Sequence, residues 1–368
     1  MRLSYWDINE LEESCDVAVI GAGIVGLSGA INIAKLHPSL SVVVLEKEIY
    51  GTLASSRNAG FACFGSVSEI FADIDRYGLD QTLALVRKRR SGIKKLVDRY
   101  SSQALGYKGL GGFEVFEDAE KFNHEAARIK EVNTWLGGEV FKASELHPGM
   151  SFYKDAIFNI EEGQLDTGKL YTSLEREALI HDIKIVRGAN VKSIHGENIN
   201  FEVAGYTDLL TKKADKILVC TNALSADLYA DEDIIPVRNQ VIVTSPMPNL
   251  AWEGTYHQDK GFIYFRNIGK RILIGGARHK HPEEHTGLLG PNPVNQTFLV
   301  EFIKNHLVDQ GTAVSITNSW SGILSGGDSR MPVVKRINER TVIAARLSGM
   351  GVAIGMTIGE EAATLLLD

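Results

Sequence analysis

Three glycines and one acid mark the first chemistry in the chain. Gly21, Gly23 and Gly26 stand in the string GAGIVG, and Glu46 follows ~20 residues later. Glycines at this spacing suit a phosphate-binding turn. Gly21 permits the tight bend, Gly23 lets backbone approach a pyrophosphate, and Gly26 lets a helix pack closely on a strand. Ala22, Ile24 and Val25 fill the rest of the turn and open that helix, whose free N–H groups and positive dipole end attract an anion. Glu46, with Lys47 beside it, stands where a carboxylate accepts hydrogen bonds from an adenosine ribose. A second group lies far downstream. Tyr264 and Arg266 sit two residues apart in the run GFIYFR at 261–266. A planar guanidinium beside a phenol can grip a carboxylate with two parallel hydrogen bonds.

Regular elements must hold these groups in place. Residues 16–20 (DVAVI) form a short β-branched run, the pattern of a buried parallel strand, and lead straight into the glycines. Ile24, Leu27, Ile31 and Ala34 recur at steps of three and four, one apolar helix face, and the helix stops at His37-Pro38. Residues 41–45 (SVVVL) are the second strand, with Glu46 at its end. Strand, glycines, helix, strand and acid in register predict a dinucleotide site far more firmly than the glycines alone. Period-two geometry puts Phe262, Tyr264 and Arg266 on one strand face.

The ring system carried by the dinucleotide is decided by the next segment. Residues 51–61 read GTLASSRNAGF, small and rich in hydroxyls. Here the chain resembles the D-amino-acid oxidase/glycine oxidase/sarcosine oxidase superfamily of FAD-dependent oxidoreductases. By that resemblance Ser55 and Ser56 hydrogen-bond the FAD diphosphate, and the backbone of Arg57, Asn58, Ala59 and Gly60 approaches the isoalloxazine. Further motifs follow in the family's order. Residues 186–194 (VRGANVKSI) look like the strand whose Val191 backbone meets the adenine. Residues 214–225 (ADKILVCTNALS) resemble a stretch that places Thr221, Asn222 and Ala223 at the cofactor; Asn222 replaces the usual glycine, and Asn tolerates positive φ better than other side chains. Trp320, Gly322, Asp328 and Pro332 match a W-x-G…D-x-x-P signature. The closing run LSGMGVAIG at 347–355 resembles a glycine turn before a helix, placing Gly349, Met350, Gly351 and Val352 at the flavin pyrimidine. Met350 replaces the common His there.

The resemblance implies an α/β fold: a Rossmann-like FAD domain of the glutathione-reductase type, with an inserted α+β substrate domain carrying an antiparallel sheet. The expected FAD domain is discontinuous, 1–85, 150–233 and 320–368, and the substrate domain comprises 86–149 and 234–319. Within the latter, 112–117 alternates like a strand, and 118–136 is expected as one amphipathic helix closed by Gly137. Runs at 236–244, 261–266 and 271–275 are expected strands, and 277–292 a long surface loop.

Composition narrows the function classes. Asp+Glu 46 against Lys+Arg 39 gives a net charge of -7, opposite to the balance of a nucleic-acid-binding protein. Cys15, Cys63 and Cys220 are few and far apart, so no disulfide framework or zinc site follows, and a reducing cytoplasm fits. Cys63 is expected as a small buried residue. The apolar residues 17–34 carry glycines spaced for turns, so no membrane span is expected there. The basic run 87–90 with Lys94 and Lys95 is expected as a solvated helix face rather than a membrane-binding one. His279, His281 and His285 lack supporting metal-ligand spacing, and no metal is expected.

The implied activity is FAD-dependent oxidation of an amine or amino acid, with hydride passing from Cα to flavin N5 and the imine then hydrolysing. Such chemistry needs orientation more than acid–base help, which suits a chain without a catalytic triad. FAD is expected to be non-covalent, because no Cys follows Cys220 and Arg57 stands where covalent members carry His. In the glycine oxidase branch a carboxylate-binding Arg lies near the W-x-G position, where Gly322 stands here; Arg57 and Arg238 are other candidates. In the sarcosine oxidase branch a Lys lies near the flavin where this chain has Leu273, so the acceptor is left open between O2 and a quinone or other carrier. A 2-hydroxy-acid or polyol-phosphate dehydrogenase on the same fold, and a non-catalytic flavin protein, are the alternatives.

Overall fold

A computed structural model describes residues 3–50, 54–146, 150, 152–229, 233–280, 290 and 292–368. The chain divides into two units. One comprises Met1–Arg57, Thr167–Val237 and Leu324–Asp368, the other Asn58–Asp166 and Arg238–Ile323.

The first unit is built on the β-branched run, which forms the strand Cys15–Ile20 with every residue but Asp16 buried. Parallel partners lie on both sides of it, Val42–Glu46 and Leu210–Val219. Thr341–Ala345 and Lys184–Arg187 extend the sheet in parallel, and Val333–Arg336 closes one edge antiparallel. A strand flanked this way is covered on both faces, which is why it contains no alternating polar residues. The glycine-loop helix Ile24–Leu36 packs on the C-terminal helix Gly351–Leu367 through bare backbone. A Cβ on Gly359 would lie 2.3 Å from the Val25 carbonyl oxygen. The expected strand over 186–194 is in fact two, Lys184–Arg187 and Ala189–His195. Gly188, at φ +75°, turns the chain between them, and the second strand joins an antiparallel meander with Asn198–Val203 and Leu210–Val219.

The second unit is an eight-stranded sheet in the order Ile316–Gly326, Ile235–Thr244, Arg271–Gly276, Ile263–Ile268, Thr255–Gln258, Gly112–Val115, Asp155–Asn159, Phe141–Glu145. Alternation gives it two distinct faces. Tyr256, Phe265, Ile272 and Ile274 point to one side, where Leu299 and Phe302 of the helix Pro293–Phe302 complete the main core. Tyr256 and Phe265 stack with centroids 5.1 Å apart. Tyr264, Leu273, Val241 and Val243 point to the other side, where Ala59, Phe61 and Trp320 join them.

This unit takes residues 58–85, 150–166 and 320–323, which the sequence motifs grouped with the cofactor domain, while 234–237 fall in the first unit. The physical cause is pairing between distant segments: Phe61–Ala62 forms a ribbon with Gly163–Gln164, and Asp155–Asn159 lies inside the antiparallel sheet. Three local expectations are also corrected. The helix over 118–136 is broken into Ala119–Ala126 and Ile129–Leu136, with the Arg128 guanidinium at the break stacked 4.3 Å over the Phe71 ring. Phe262 precedes the strand Ile263–Ile268 rather than sharing a face with Tyr264 and Arg266. Of the expected surface loop, Ala277 and Asn292 are buried at its ends, and 281–289 and 291, with His281 and His285, lie outside the described residues. Among the described residues no helix is long and apolar enough to cross a membrane.

The basic run is not wholly solvated. In the helix Leu79–Tyr100, Arg89 is 1% exposed and pairs with Glu69 at 3.8 Å, and Arg90 pairs with Glu161. Glu114 is buried and accepts hydrogen bonds from the hydroxyls of Ser66 and Ser68, the latter next to Glu69 in the chain. Burial outweighs those donors and pushes its pKa from 4.5 up to about 7. Folded protein therefore keeps a proton that the unfolded chain loses near pH 4.5, so this group's contribution to stability falls as pH rises toward 7 and is flat above it. Between pH 5.5 and 8 the Glu114→Gln variant is expected to lose about 2 kcal/mol less stability than the parent. Urea denaturation at the two pH values measures this; equal losses in both proteins would show that Glu114 does not titrate there.

Candidate active site

In the first unit the strand Cys15–Ile20 ends at Gly21, whose φ of +100° and 2.8 Å clearance from the Cys220 carbonyl oxygen admit no side chain. Gly26 is equally constrained: a Cβ there would lie 1.9 Å from the Gly21 carbonyl oxygen. Gly23 differs. Its backbone is extended (φ −72°, ψ 179°), and among the described residues a Cβ would meet only the Ser55 hydroxyl, at 2.9 Å. That hydroxyl accepts from the Ile24 N–H at 2.9 Å, so Ser55 touches the helix N-terminus itself. Ser56 accepts from the Thr167 hydroxyl through its carbonyl oxygen.

Glu46 is 6% exposed. One carboxylate oxygen accepts from the Ala22 N–H at 2.7 Å and the other from the Glu48 N–H at 2.9 Å. Each oxygen has a second lone pair for a further donor. Lys47 is exposed beside it, and Val191 lies in the strand register opposite Phe201. Asn222 adopts φ +51° and accepts from the Ser325 hydroxyl at 2.6 Å, between Thr221 and buried Ala223. After the strand Thr341–Ala345, positive φ recurs at Arg346, Ser348 and Gly349, and Met350 then caps the helix Gly351–Leu367, whose Val352 is buried. The Ser348 hydroxyl is buried without a hydrogen-bond partner among the described residues.

In the second unit Asn58 stabilises the turn before the ribbon by accepting from the Gly60 N–H at 2.9 Å. Gly60 has φ +73°, and a Cβ on it would lie 2.3 Å from the Leu165 carbonyl oxygen and 2.8 Å from a guanidinium nitrogen of Arg266. Arg266 is 8% exposed, with its Nε buried and lacking a hydrogen-bond partner among the described residues. Burial pulls its pKa down to about 10, with Asp166 opposing that through space. Tyr264 accepts from the Asn239 side-chain amide at 2.8 Å and packs edge-on against Phe61, centroids 5.4 Å apart. Burial pushes its pKa up to about 12, so it stays a neutral phenol. Its ring lies on Gly275, the cross-strand partner, where a Cβ would sit 2.6 Å from the Tyr264 oxygen.

On the far side of Phe61 is a polar cluster with no sequence forewarning. His257 packs edge-on against Phe61 at 5.1 Å, and its Nε2 lies 3.7 Å from Glu162. Glu162 is 3% exposed and accepts from the Phe64 N–H at 2.9 Å. Burial alone would lower the His257 pKa, but contact with the Cys63 sulfur and Glu162 outweighs it and raises the value well above the ordinary histidine range. Burial raises the Cys63 thiol pKa in turn, so Cys63 is no thiolate nucleophile.

These two sets of features coincide with one family. The model of the DAO family, described as FAD dependent oxidoreductase, matches residues 16–365. The chain belongs to this family of FAD-dependent oxidoreductases. It is 23% identical to the probable oxidoreductase OrdL of Haemophilus influenzae, with 96% of this chain and 83% of that protein aligned. It is 25% identical to gamma-glutamylputrescine oxidoreductase of Escherichia coli, over 98% of this chain and 86% of that one. Among solved structures, glycine oxidase from Geobacillus kaustophilus superposes with a TM-score of 0.76 at 20% identity, covering 97% and 95% of the two chains. L-proline dehydrogenase from P. horikoshii gives 0.75 at 20% identity, covering 96% and 94%. At these identities the structural likeness shows the fold.

The residues of this oxidoreductase suit FAD. Among the described residues only a hydroxyl stands above Gly23 at the helix N-terminus, Glu46 is held at the end of the second strand, and the Ser348 hydroxyl lacks a partner at the start of another helix. Sequence reasoning missed Asn239, Gly275, His257 and Glu162. Period-two pairing alone cannot find them, because the register between strands far apart in sequence is not written locally. Among the described residues no group of His, Cys, Asp or Glu could hold a metal, and His279 instead contacts Asp259 at 2.8 Å.

Proposed function

We propose that this chain oxidises an α-amino acid or a closely related carboxylate-bearing amine. One observation carries the reading: a buried guanidinium, Arg266, with its Nε unpaired, lies against Gly60 in the segment that by family resemblance follows the isoalloxazine. A buried guanidinium with an unpaired N–H is costly and has room for an anion of matching shape, which a carboxylate supplies. FAD, when bound noncovalently in the cradle of Gly21, Gly23, Ser55 and Glu46, supplies a two-electron acceptor.

The protein's own groups then act by binding and orientation. Arg266 fixes the carboxylate. Tyr264, whose oxygen already accepts from Asn239, has its proton left to donate. An amine is favoured over a 2-hydroxy acid because oxidising a hydroxyl needs a base to take its proton. Tyr264 is held protonated, so it does not serve as one. An amine needs only to arrive unprotonated.

Anaerobic flavin reduction by a panel of amino acids, carboxylate-free amines and 2-hydroxy acids tests the proposal. Amino acids are expected to bleach the flavin, with a second-order rate rising about tenfold per pH unit below the substrate's ammonium pKa. Bleaching by hydroxy acids alone would sink it.

A further inference from the structure

We infer that the amino acid taken by this site carries a bulky apolar side chain and no second charge. The inference rests on the carboxylate reading of Arg266 and goes beyond it to the remainder of the substrate.

The argument starts from what surrounds the guanidinium. Arg266 lies against Gly60, and the residues on either side of that glycine, Ala59 and Phe61, belong to one apolar cluster with Leu273, Val243, Tyr264 and Trp320. Leu273 is the cross-strand partner of Arg266, and Val243 is the partner of Leu273. Neighbouring strands are about 4.8 Å apart, and alternate residues on one strand about 7 Å apart. A carboxylate held by Arg266 therefore leaves its α-substituent within one side chain's reach of this cluster. Ala59 and Leu273 are buried, whereas Phe61, Tyr264 and Trp320 keep part of their surface uncovered. Three part-exposed aromatic rings beside a buried cation describe an amphiphilic site, apolar at one end and charged at the other.

The apolar wall is also held rigidly. Tyr264 is fixed between the Asn239 amide and the bare backbone of Gly275, and Phe61 is wedged between Tyr264 and His257. A preorganised wall discriminates by shape, since it pays little ordering entropy when a ligand covers it. The nearest rival is a dicarboxylic amino acid, because Arg278 also acts on Tyr264 through space. That guanidinium, however, stacks 4.8 Å over the Phe262 ring, outside the cluster. A second carboxylate placed on Phe61 or Leu273 would be desolvated without a partner.

Unreactive carboxylates read the site without turnover. Acetate, 4-methylpentanoate, succinate and the uncharged 4-methylpentanamide are titrated into the FAD-loaded protein, with binding followed by calorimetry and by the flavin spectrum. We expect 4-methylpentanoate to bind at least tenfold more tightly than acetate or succinate, and the amide to bind at least tenfold more weakly than its acid. In Phe61→Ala the advantage of 4-methylpentanoate over acetate should shrink at least threefold, with acetate as the internal control for an intact site. Succinate binding best, or acetate matching 4-methylpentanoate, would overturn the apolar inference while leaving the carboxylate reading in place. The amide matching its acid would overturn the carboxylate reading itself.

Discussion

Gly23→Val is expected to yield a folded protein that carries no flavin. The variant separates two roles that the three loop glycines share in sequence. A side chain on Gly26 collides with the Gly21 carbonyl oxygen at 1.9 Å, so its replacement damages the strand–helix unit itself. On Gly23 the added Cβ meets, among the described residues, only the Ser55 hydroxyl, the end of a flexible side chain, and the extended backbone suits valine. What valine fills is the space through which a diphosphate reaches the helix N-terminus. FAD affinity is expected to fall by more than about 4 kcal/mol, roughly a thousandfold. The circular dichroism of the apoprotein and its melting temperature should match those of apo wild type. Wild-type flavin should appear in the supernatant after acid precipitation. A full flavin complement in the variant would remove Gly23 from the cofactor site.

Arg266→Met is expected to stabilise the protein while destroying its activity on carboxylate-bearing amines. A buried cation whose Nε has no partner is a liability to the ligand-free fold, and an apolar side chain of similar length removes the desolvation cost. The expected gain is about 1–4 kcal/mol, visible as a higher melting temperature without substrate. Loss of the guanidinium should cost about 2–5 kcal/mol in kcat/KM for an amino acid, roughly 30- to 5000-fold. Arg266→Lys should recover little of this, because an ammonium keeps the charge but not the planar fork. Amines without a carboxylate should be oxidised equally by parent and variants. Losses of the same size for both substrate classes would place Arg266 in the scaffold. A lower melting temperature for Arg266→Met would mean that its charge is satisfied in the fold. A trade of stability for function is common at sites that keep an uncompensated group for a ligand.

The features of the two units were legible from local rules alone, up to a point. The strand–glycine–helix unit could be read directly, because the strand Cys15–Ile20, the glycine turn, the helix Ile24–Leu36 and Glu46 are consecutive in the chain. Their geometry follows from local rules: β-branched residues extend, glycines turn, and apolar residues at steps of three and four make a helix face. The shared face of Tyr264 and Arg266 was also readable, since alternation along a strand needs no tertiary information. Reading failed where a boundary depended on distant contacts. Nothing near Phe262 excludes it from the strand, nothing in 118–136 shows that Arg128 will stack on Phe71, and a basic run does not reveal that Arg89 pairs inward with Glu69.

By itself the sequence determined that the chain has a dinucleotide-binding βαβ unit with an acid in register, because each of those features is a short-range consequence of residue type and spacing. It also carried the family's motifs in order, and with them FAD. Tertiary structure alone decided that Gly60, more than 200 positions from Arg266, touches its guanidinium, and that the ribbon of Phe61–Ala62 with Gly163–Gln164 places Phe61 between Tyr264 and His257. Such contacts depend on strand register and on which segments pair across the chain, and these are settled by the burial of whole faces together rather than by any local run of residues.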